Sequence, residues 1–130
     1  MTAAAHWSEA YLGRPYVEDV FDCAVLAETV RREVFGHDLQ LPSERRPGPY
    51  GRAIQLRQHL PDFVAPTTGP RDGDAVLIVA KGREQHIGLY CLIGAEPWVL
   101  HNIERSTVHR IRVRDMEKWG YKIEGYYRWI

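Results

Sequence analysis

The segment Gln85-His-Ile-Gly-Leu-Tyr-Cys-Leu-Ile93 alternates in side-chain character, and this alternation decides the fold class of the second half of the chain. Successive side chains of an extended strand point to opposite faces, so a period of two residues indicates a half-buried β-strand. The predicted core face carries Ile87, Leu89, Cys91 and Ile93. The opposite face carries His86, Gly88, Tyr90 and Leu92.

Four further segments of the second half are also typical of strands. The first, Asp74–Ala80, is an almost continuous apolar run, as expected of a strand that is buried on both faces. The others follow at short intervals and are Pro97–Asn102, Thr107–Val113 and Gly120–Trp129. Strands that follow one another through short connections favour an antiparallel sheet.

The first half of the chain has a helical period instead. Between residues 21 and 35, apolar residues recur at spacings of three and four, which predicts an amphipathic helix that ends at Gly36. Shorter helices are predicted over residues 8–12 and about 50–60. We therefore predict an α+β fold in which N-terminal helices pack on a C-terminal antiparallel β-sheet.

Length and charge exclude several classes of protein as defaults. The 130 residues predict one domain, spanning 1–130, and 17 basic against 17 acidic residues give a formal net charge of zero. A strongly basic nucleic-acid binder is thereby excluded. The apolar run Ala75–Ala80 is far shorter than the ~20 residues of a membrane helix. We expect no nucleic-acid or membrane partner and, without a visible secretory signal, a cytoplasmic origin.

Cys23 is the first candidate for chemistry because it lies at the predicted start of the long helix, directly after Asp22. A helix N-terminus presents unpaired N–H groups that stabilise a thiolate, and Asp22 is a suitable N-cap. The alternative is that Cys23 is a small buried apolar residue of the helix. The chain contains two cysteines, and neither has the spacing of a zinc site, so no metal or other cofactor is predicted.

Two histidines could complete a catalytic site with this thiol. His86 opens a predicted strand, and an imidazole in contact with Cys23 would accept the thiol proton as a general base. His101 ends the next strand, and two strand ends of one antiparallel sheet can lie side by side. His101 could then orient His86, as the third group does in Ser-His-Asp and Cys-His-Asn sites. The alternative for each histidine is a hydrated surface residue.

The order of these elements resembles the NlpC-type cysteine peptidases. The resemblance is carried by Tyr11-Leu-Gly-Arg-Pro-Tyr16, by Phe21-Asp-Cys23, by His86-Ile-Gly-Leu-Tyr90 and by Val99-Leu-His101. The closing Gly125-Tyr-Tyr-Arg128 is similar to the C-terminus of the phage-tail members of that family. In all, the resemblance covers about residues 7 to 128.

The resemblance implies a papain-like fold and hydrolysis of amide bonds in peptidoglycan stem peptides, without a cofactor. By position, Cys23 matches the nucleophile, His86 the base and His101 the third polar residue. Tyr16 matches a tyrosine near the nucleophile that helps to bind the oxyanion, and Asp22 is grouped with it as a substrate-side residue. The implied setting is a phage or prophage tail, with other tail proteins as partners.

One departure from the family leaves alternatives open. The family commonly has Asp-Cys-Ser-Gly where this chain has Asp22-Cys-Ala-Val25. The first alternative is a non-enzymatic tail assembly or structural protein on the same fold. The second is a papain-like amidase or acyltransferase that acts on another acyl substrate.

The remaining polar and aromatic clusters have mainly structural interpretations. Cys91 lies on the predicted core face and is expected to be an inert buried thiol. Three arginines, Arg110, Arg112 and Arg114, share one strand face, which favours a solvated surface, with contact to an anionic surface as the alternative. The C-terminal aromatic residues are expected to pack in the sheet or, in part, to contact a partner. They are Trp119, Tyr121, Tyr126, Tyr127 and Trp129.

Overall fold

A six-stranded antiparallel sheet is the main element of the described part of the protein. The computed structural model describes residues 5–17, 20–41, 60–80 and 84–130. The strands are β1 (Val64–Thr67), β2 (Ala75–Ala80), β3 (Glu84–Ile93), β4 (Glu96–Asn102), β5 (Val108–Arg112) and β6 (Tyr121–Trp129). Their spatial order is β1-β6-β2-β3-β4-β5, so β2 and β3 are central and β1 and β5 are the edges.

One α-helix, α1 (Cys23–Phe35), lies in the described part of the chain. Its N-cap is Asp22, whose side chain accepts a hydrogen bond from the backbone N–H of Val25 at 3.0 Å. Gly36 ends the helix with φ 64°, a left-handed conformation that glycine adopts at little cost. None of the described helices is long and apolar enough to span a membrane.

The two faces of the sheet carry two separate apolar clusters. The cluster on the α1 side contains Leu26 and Val30 of the helix together with Ile87 and Leu89 of β3. The cluster on the opposite face contains Val76, Ile78, Tyr90, Val99, Ile111 and Met116. Short 3₁₀ helices, Val113–Asp115 and Glu117–Trp119, connect β5 to β6.

An N-terminal strap, defined here as residues 5–17, is tied to the sheet at two places. The Asp72 carboxylate lies 3.0 Å from His6 Nε2 and accepts hydrogen bonds from Trp7 Nε1 at 2.7 Å and from the Leu92 N–H at 2.9 Å. Further along, the strap runs beside the start of β5, where the Gly13 N–H donates to Val108 O and the Val108 N–H donates to Arg14 O.

The predicted fold class is wrong. We expected several N-terminal helices of a papain-like domain to pack on the sheet, but the described residues hold one α-helix against six antiparallel strands. The segment 7–11 is a single 3₁₀ helix, and the helix predicted at about 50–60 lies largely outside the described residues. The helical period over residues 21–35 predicted α1 correctly, but a single amphipathic helix covers only part of one face of the sheet.

The positions of the strands of the second half were predicted within a few residues. The prediction missed β1, whose four residues include Pro66 and carry no clear alternation. A proline has no backbone N–H and cannot donate to a neighbouring strand. It is therefore tolerated mainly in a strand at the edge of a sheet, where one side has no neighbour. Among the strands that the structure describes, β1 pairs with β6 alone, in agreement with this rule.

We predict that Gly73→Ala destabilises the protein by about 2–4 kcal/mol, because strain and a clash add together. Gly73 has φ 89°, and an added Cβ would lie 2.4 Å from the Phe35 ring. Gly36→Ala is the matched control, since its φ is 64° but its Cβ would meet nothing within 4 Å. Strain alone should cost Gly36→Ala about 1 kcal/mol in urea unfolding. Equal losses in the two variants would contradict the clash with Phe35.

Candidate functional site

Cys23 is the first residue of α1, and its side chain is buried on the α1 side of the sheet. Only 8% of the residue is exposed to solvent. The thiol lies at the N-terminal end of α1, beside the Asp22 cap, whose carboxylate accepts a hydrogen bond from the backbone N–H of Val25. The predicted N-cap role of Asp22 is confirmed, and Asp22 itself is fully buried.

His86 of β3 and His101 of the neighbouring strand β4 are in contact. Their ring centroids are 5.3 Å apart at an interplanar angle of 75°. A third ring, that of Tyr121 in β6, stacks on His86 at 5.9 Å and meets His101 edge-on at 4.9 Å. We call these three rings the imidazole cluster.

The histidine ring nitrogens of the imidazole cluster are buried. Neither ring nitrogen of His101 and not Nε2 of His86 finds a hydrogen-bond partner among the described residues. Burial lowers the pKa of His86 to about 4. It also lowers the pKa of His101 well below its ordinary value, helped by the neighbouring charges of His86 and His109. Both imidazoles are therefore neutral near pH 7.

The structure does not bring Cys23 and His86 together. Cys23 packs in the same cluster as Ile87 and Leu89, so these residues of β3 face α1. His86 precedes Ile87 in an extended strand and therefore points to the other face, where it meets Tyr121. The sheet itself separates the thiol from the imidazole cluster.

One hydrogen bond nevertheless connects the segment before Cys23 with the residue after His101, at the end of the sheet that carries the imidazole cluster. The side chain of Asn102, the residue after His101, donates from Nδ2 to the backbone O of Phe21 at 2.7 Å. Phe21 lies two residues before Cys23, so the start of α1 is fixed to the end of β4. The Oδ1 atom of Asn102 is buried and has no partner among the described residues.

The backbone of Tyr16 is hydrogen-bonded to the loop between β4 and β5. Its N–H donates to Ser106 O at 3.0 Å, and the neighbouring Pro15 forms a β-bridge with Thr107. Its side chain is partly buried. The oxyanion role of Tyr16 stays a prediction.

Cys91 is a buried, free thiol on the α1 side of the sheet. Its Sγ donates a weak hydrogen bond to Leu89 O at 3.6 Å. Burial and the charge of Asp72 raise the pKa of this thiol to about 12, so it is un-ionised and unreactive at neutral pH. The expectation of a buried core thiol is confirmed, and no disulfide joins Cys91 to Cys23.

Sequence reasoning missed two members of this region, Tyr121 and Asn102. Tyr121 was expected to pack in the sheet or to contact a partner, and its contact with the histidines depends on a bulge in β6. Leu77 pairs with Gly125 but the next residue, Ile78, pairs with Ile123, so Glu124 is the extra residue. This shift turns Tyr121 to the face that carries His86. Asn102 could have been noticed only as a polar residue that ends a predicted strand.

Within the described ranges, no group of three or more His, Cys, Asp or Glu side chains is arranged to hold a metal ion. No protein-family model, no curated protein and no solved structure matches this chain. The resemblance in the sequence motifs therefore stands on those motifs alone.

We predict that His86 makes stability depend on pH in the acidic range. The unfolded imidazole binds a proton near pH 6.5, whereas the folded one does so only near pH 4, so stability present above pH 6.5 is lost as the pH falls to 4. The loss is up to about 3 kcal/mol. Urea unfolding at about pH 7 and pH 4.5 measures it, and His86→Gln should remove this part of the dependence and leave the part that comes from the buried His101.

The control for this prediction is His109→Gln, which removes an exposed imidazole hydrogen-bonded to Thr107 O at 2.8 Å. This variant should retain most of the pH dependence. An unchanged slope in His86→Gln would show that His86 is not held neutral by burial.

Proposed function

We propose that the chain is a cysteine hydrolase that cleaves an amide bond in peptidoglycan stem peptides, with Cys23 as the nucleophile. The observation that supports this most is the contact of His86 with His101, 5.3 Å between ring centroids, at the end of the sheet where α1 begins. The residues that the sequence motifs match to the base and to its orienting partner are thus in contact.

The proposed reaction needs only groups of this chain and water. His86 removes the proton of Cys23, and the thiolate attacks the amide carbonyl. The backbone N–H of Cys23 at the helix start stabilises the oxyanion. The amine then leaves with the proton returned by the imidazole, and an acyl-thioester remains. Water, deprotonated by His86, hydrolyses the thioester and releases the acid and the thiol.

This reaction requires His86 to reach the α1 side of the sheet. A one-residue shift or bulge at the start of β3 is sufficient, because neighbouring residues of a strand point to opposite faces. β4 pairs with β3 only from Leu89 onward, whereas Glu84–Gly88 pair with β2 alone. The described arrangement is then a resting state in which the base is held on the far face.

A second candidate function is favoured by the separation of Cys23 from His86. A tail assembly or binding protein needs no contact between a thiol and an imidazole, and the described arrangement suits it without rearrangement. The proposed phage-tail setting is common to both candidates and rests on the resemblance of the sequence motifs.

We predict that Cys23→Ala abolishes release of free amino groups from purified peptidoglycan, by about 10³-fold or more, since the nucleophile is lost. Cys91→Ala is the matched control, because it removes the other thiol from the same side of the sheet. The core change in Cys91→Ala costs stability but should leave turnover within about twofold once folding is verified. Turnover of Cys23→Ala at the wild-type level would contradict the hydrolase proposal.

Iodoacetamide labelling separates the two candidate functions. A hydrolase should show Cys23 labelled well below the ordinary thiol pKa of about 8.5, and His86→Ala should suppress this labelling. Cys91 provides the internal reference for an unreactive thiol. Equal labelling of Cys23 in the wild type and in His86→Ala would favour the binding protein.

A further inference from the structure

The described residues of the chain cover only half of the outer edge of β5. Val108 directs its N–H and C=O outward, to Arg14 and Gly13 of the N-terminal strap. The strap then turns away at Gly13, where φ is 81°. Antiparallel ladders alternate, so Arg110 and Arg112 also direct their backbone groups outward. Among the described residues none forms a backbone hydrogen bond with these outward groups.

A groove of about 560 Å³ lies along this open half of the edge. We call it the β5 groove; its lining includes Trp98, Arg110, Arg112, Asp115, Trp119 and Tyr121. The side chain of Trp119 is conspicuous here, with the residue 65% exposed to solvent. An exposed tryptophan beside an unpaired strand edge is a feature of recognition surfaces rather than of an inert edge.

The α1 side of the β5 groove is positively charged. The guanidinium groups of Arg110 and Arg112 lie over the Trp98 ring at 5.3 Å and 4.9 Å from its centroid. Arg112 shares the single carboxylate of Glu96, at 3.7 Å, with Arg114, at 3.5 Å. Arg110 donates to the neutral Ser8 hydroxyl at 2.8 Å. Two guanidinium groups thus share the Glu96 carboxylate and a third, that of Arg110, lies beside them, whereas the Asp115 carboxylate, which lines the groove, lies 3.7 Å from Lys118 Nζ. Arg112 Nε has no hydrogen-bond partner among the described residues.

The opposite side of the β5 groove is mainly apolar. Ile111 and Tyr121 belong to the cluster on the far face of the sheet, and Trp119 lies beside them. A strand that paired with Arg110–Arg112 would direct alternate side chains to these two sides. Residues two apart in a strand are separated by ~7 Å, which is also the spacing of Arg110 and Arg112 along β5.

We propose that the β5 groove binds an extended acidic peptide segment of a partner protein, which adds a strand to the sheet beside Arg110 and Arg112. The segment carries carboxylates at alternate positions, facing the arginines, and apolar side chains between them, facing Trp119 and Tyr121. Backbone hydrogen bonds supply much of the affinity and the alternating side chains supply the specificity. This proposal is independent of any reaction at Cys23.

The test uses the full chain and a fluorescein-labelled hexapeptide of sequence Thr-Glu-Val-Glu-Val-Thr, with binding followed by fluorescence anisotropy. We expect saturable binding, at least about tenfold tighter than that of the Thr-Lys-Val-Lys-Val-Thr peptide. Arg112→Gln should weaken binding about three- to fivefold, as the loss of an exposed charge pair does. Arg32→Gln is the matched control, since it removes an exposed arginine of α1 away from the groove and should change nothing.

Backbone methylation of the peptide tests strand addition on the unmodified protein. N-methyl groups on one set of alternate residues should abolish pairing, with a loss of at least about tenfold, whereas the other set should retain binding within about twofold. Equal effects of the two sets, or equal binding of the lysine peptide, would reduce the interaction to adsorption and overturn the proposal. Absence of saturable binding would overturn it as well.

Discussion

The two-residue period of β3 is the constraint on which the rest of the structure depends. β3 is a central strand, so each of its side chains belongs either to the layer that holds α1 or to the layer on the far face. Ile87 and Leu89 are fully buried against the helix side, and a shift of the whole strand by one residue would expose or misplace both. In the described arrangement the same constraint places His86 on the face opposite Cys23.

Burial of the histidine rings of the imidazole cluster lowers the free energy of unfolding. Buried polar atoms are nearly always paired, and each unpaired one costs about 1–3 kcal/mol. Three ring nitrogens of His86 and His101 have no partner in the described part of the chain.

Local features were predictable from the sequence because short-range chemistry determines them. The N-cap Asp22, the helix stop at Gly36 and the bounds of five strands follow from capping, backbone freedom and periodicity. The fold class was not predictable in this way, since it depends on how many helices pack on the sheet. The placement of Tyr121 was equally hidden, because the bulge at Glu124 leaves no mark in the pattern of apolar residues. Cys23 and His86 lie on opposite faces of the sheet, and this placement depends on which face of β3 packs against α1.

The anchoring of the N-terminal strap at Asp72 has a consequence for the order of folding. The hydrogen bonds from His6 and Trp7 to Asp72 join residues 66 and 65 positions apart, and the partner N–H of Leu92 is already part of β3. Closing so long a loop is entropically costly until the sheet supplies the binding site. We therefore expect the strap to dock after β2 and β3 have paired, and its contacts to slow unfolding more than they speed folding. Its other end covers Val108, so half of the β5 edge is closed only once the protein has completed its fold.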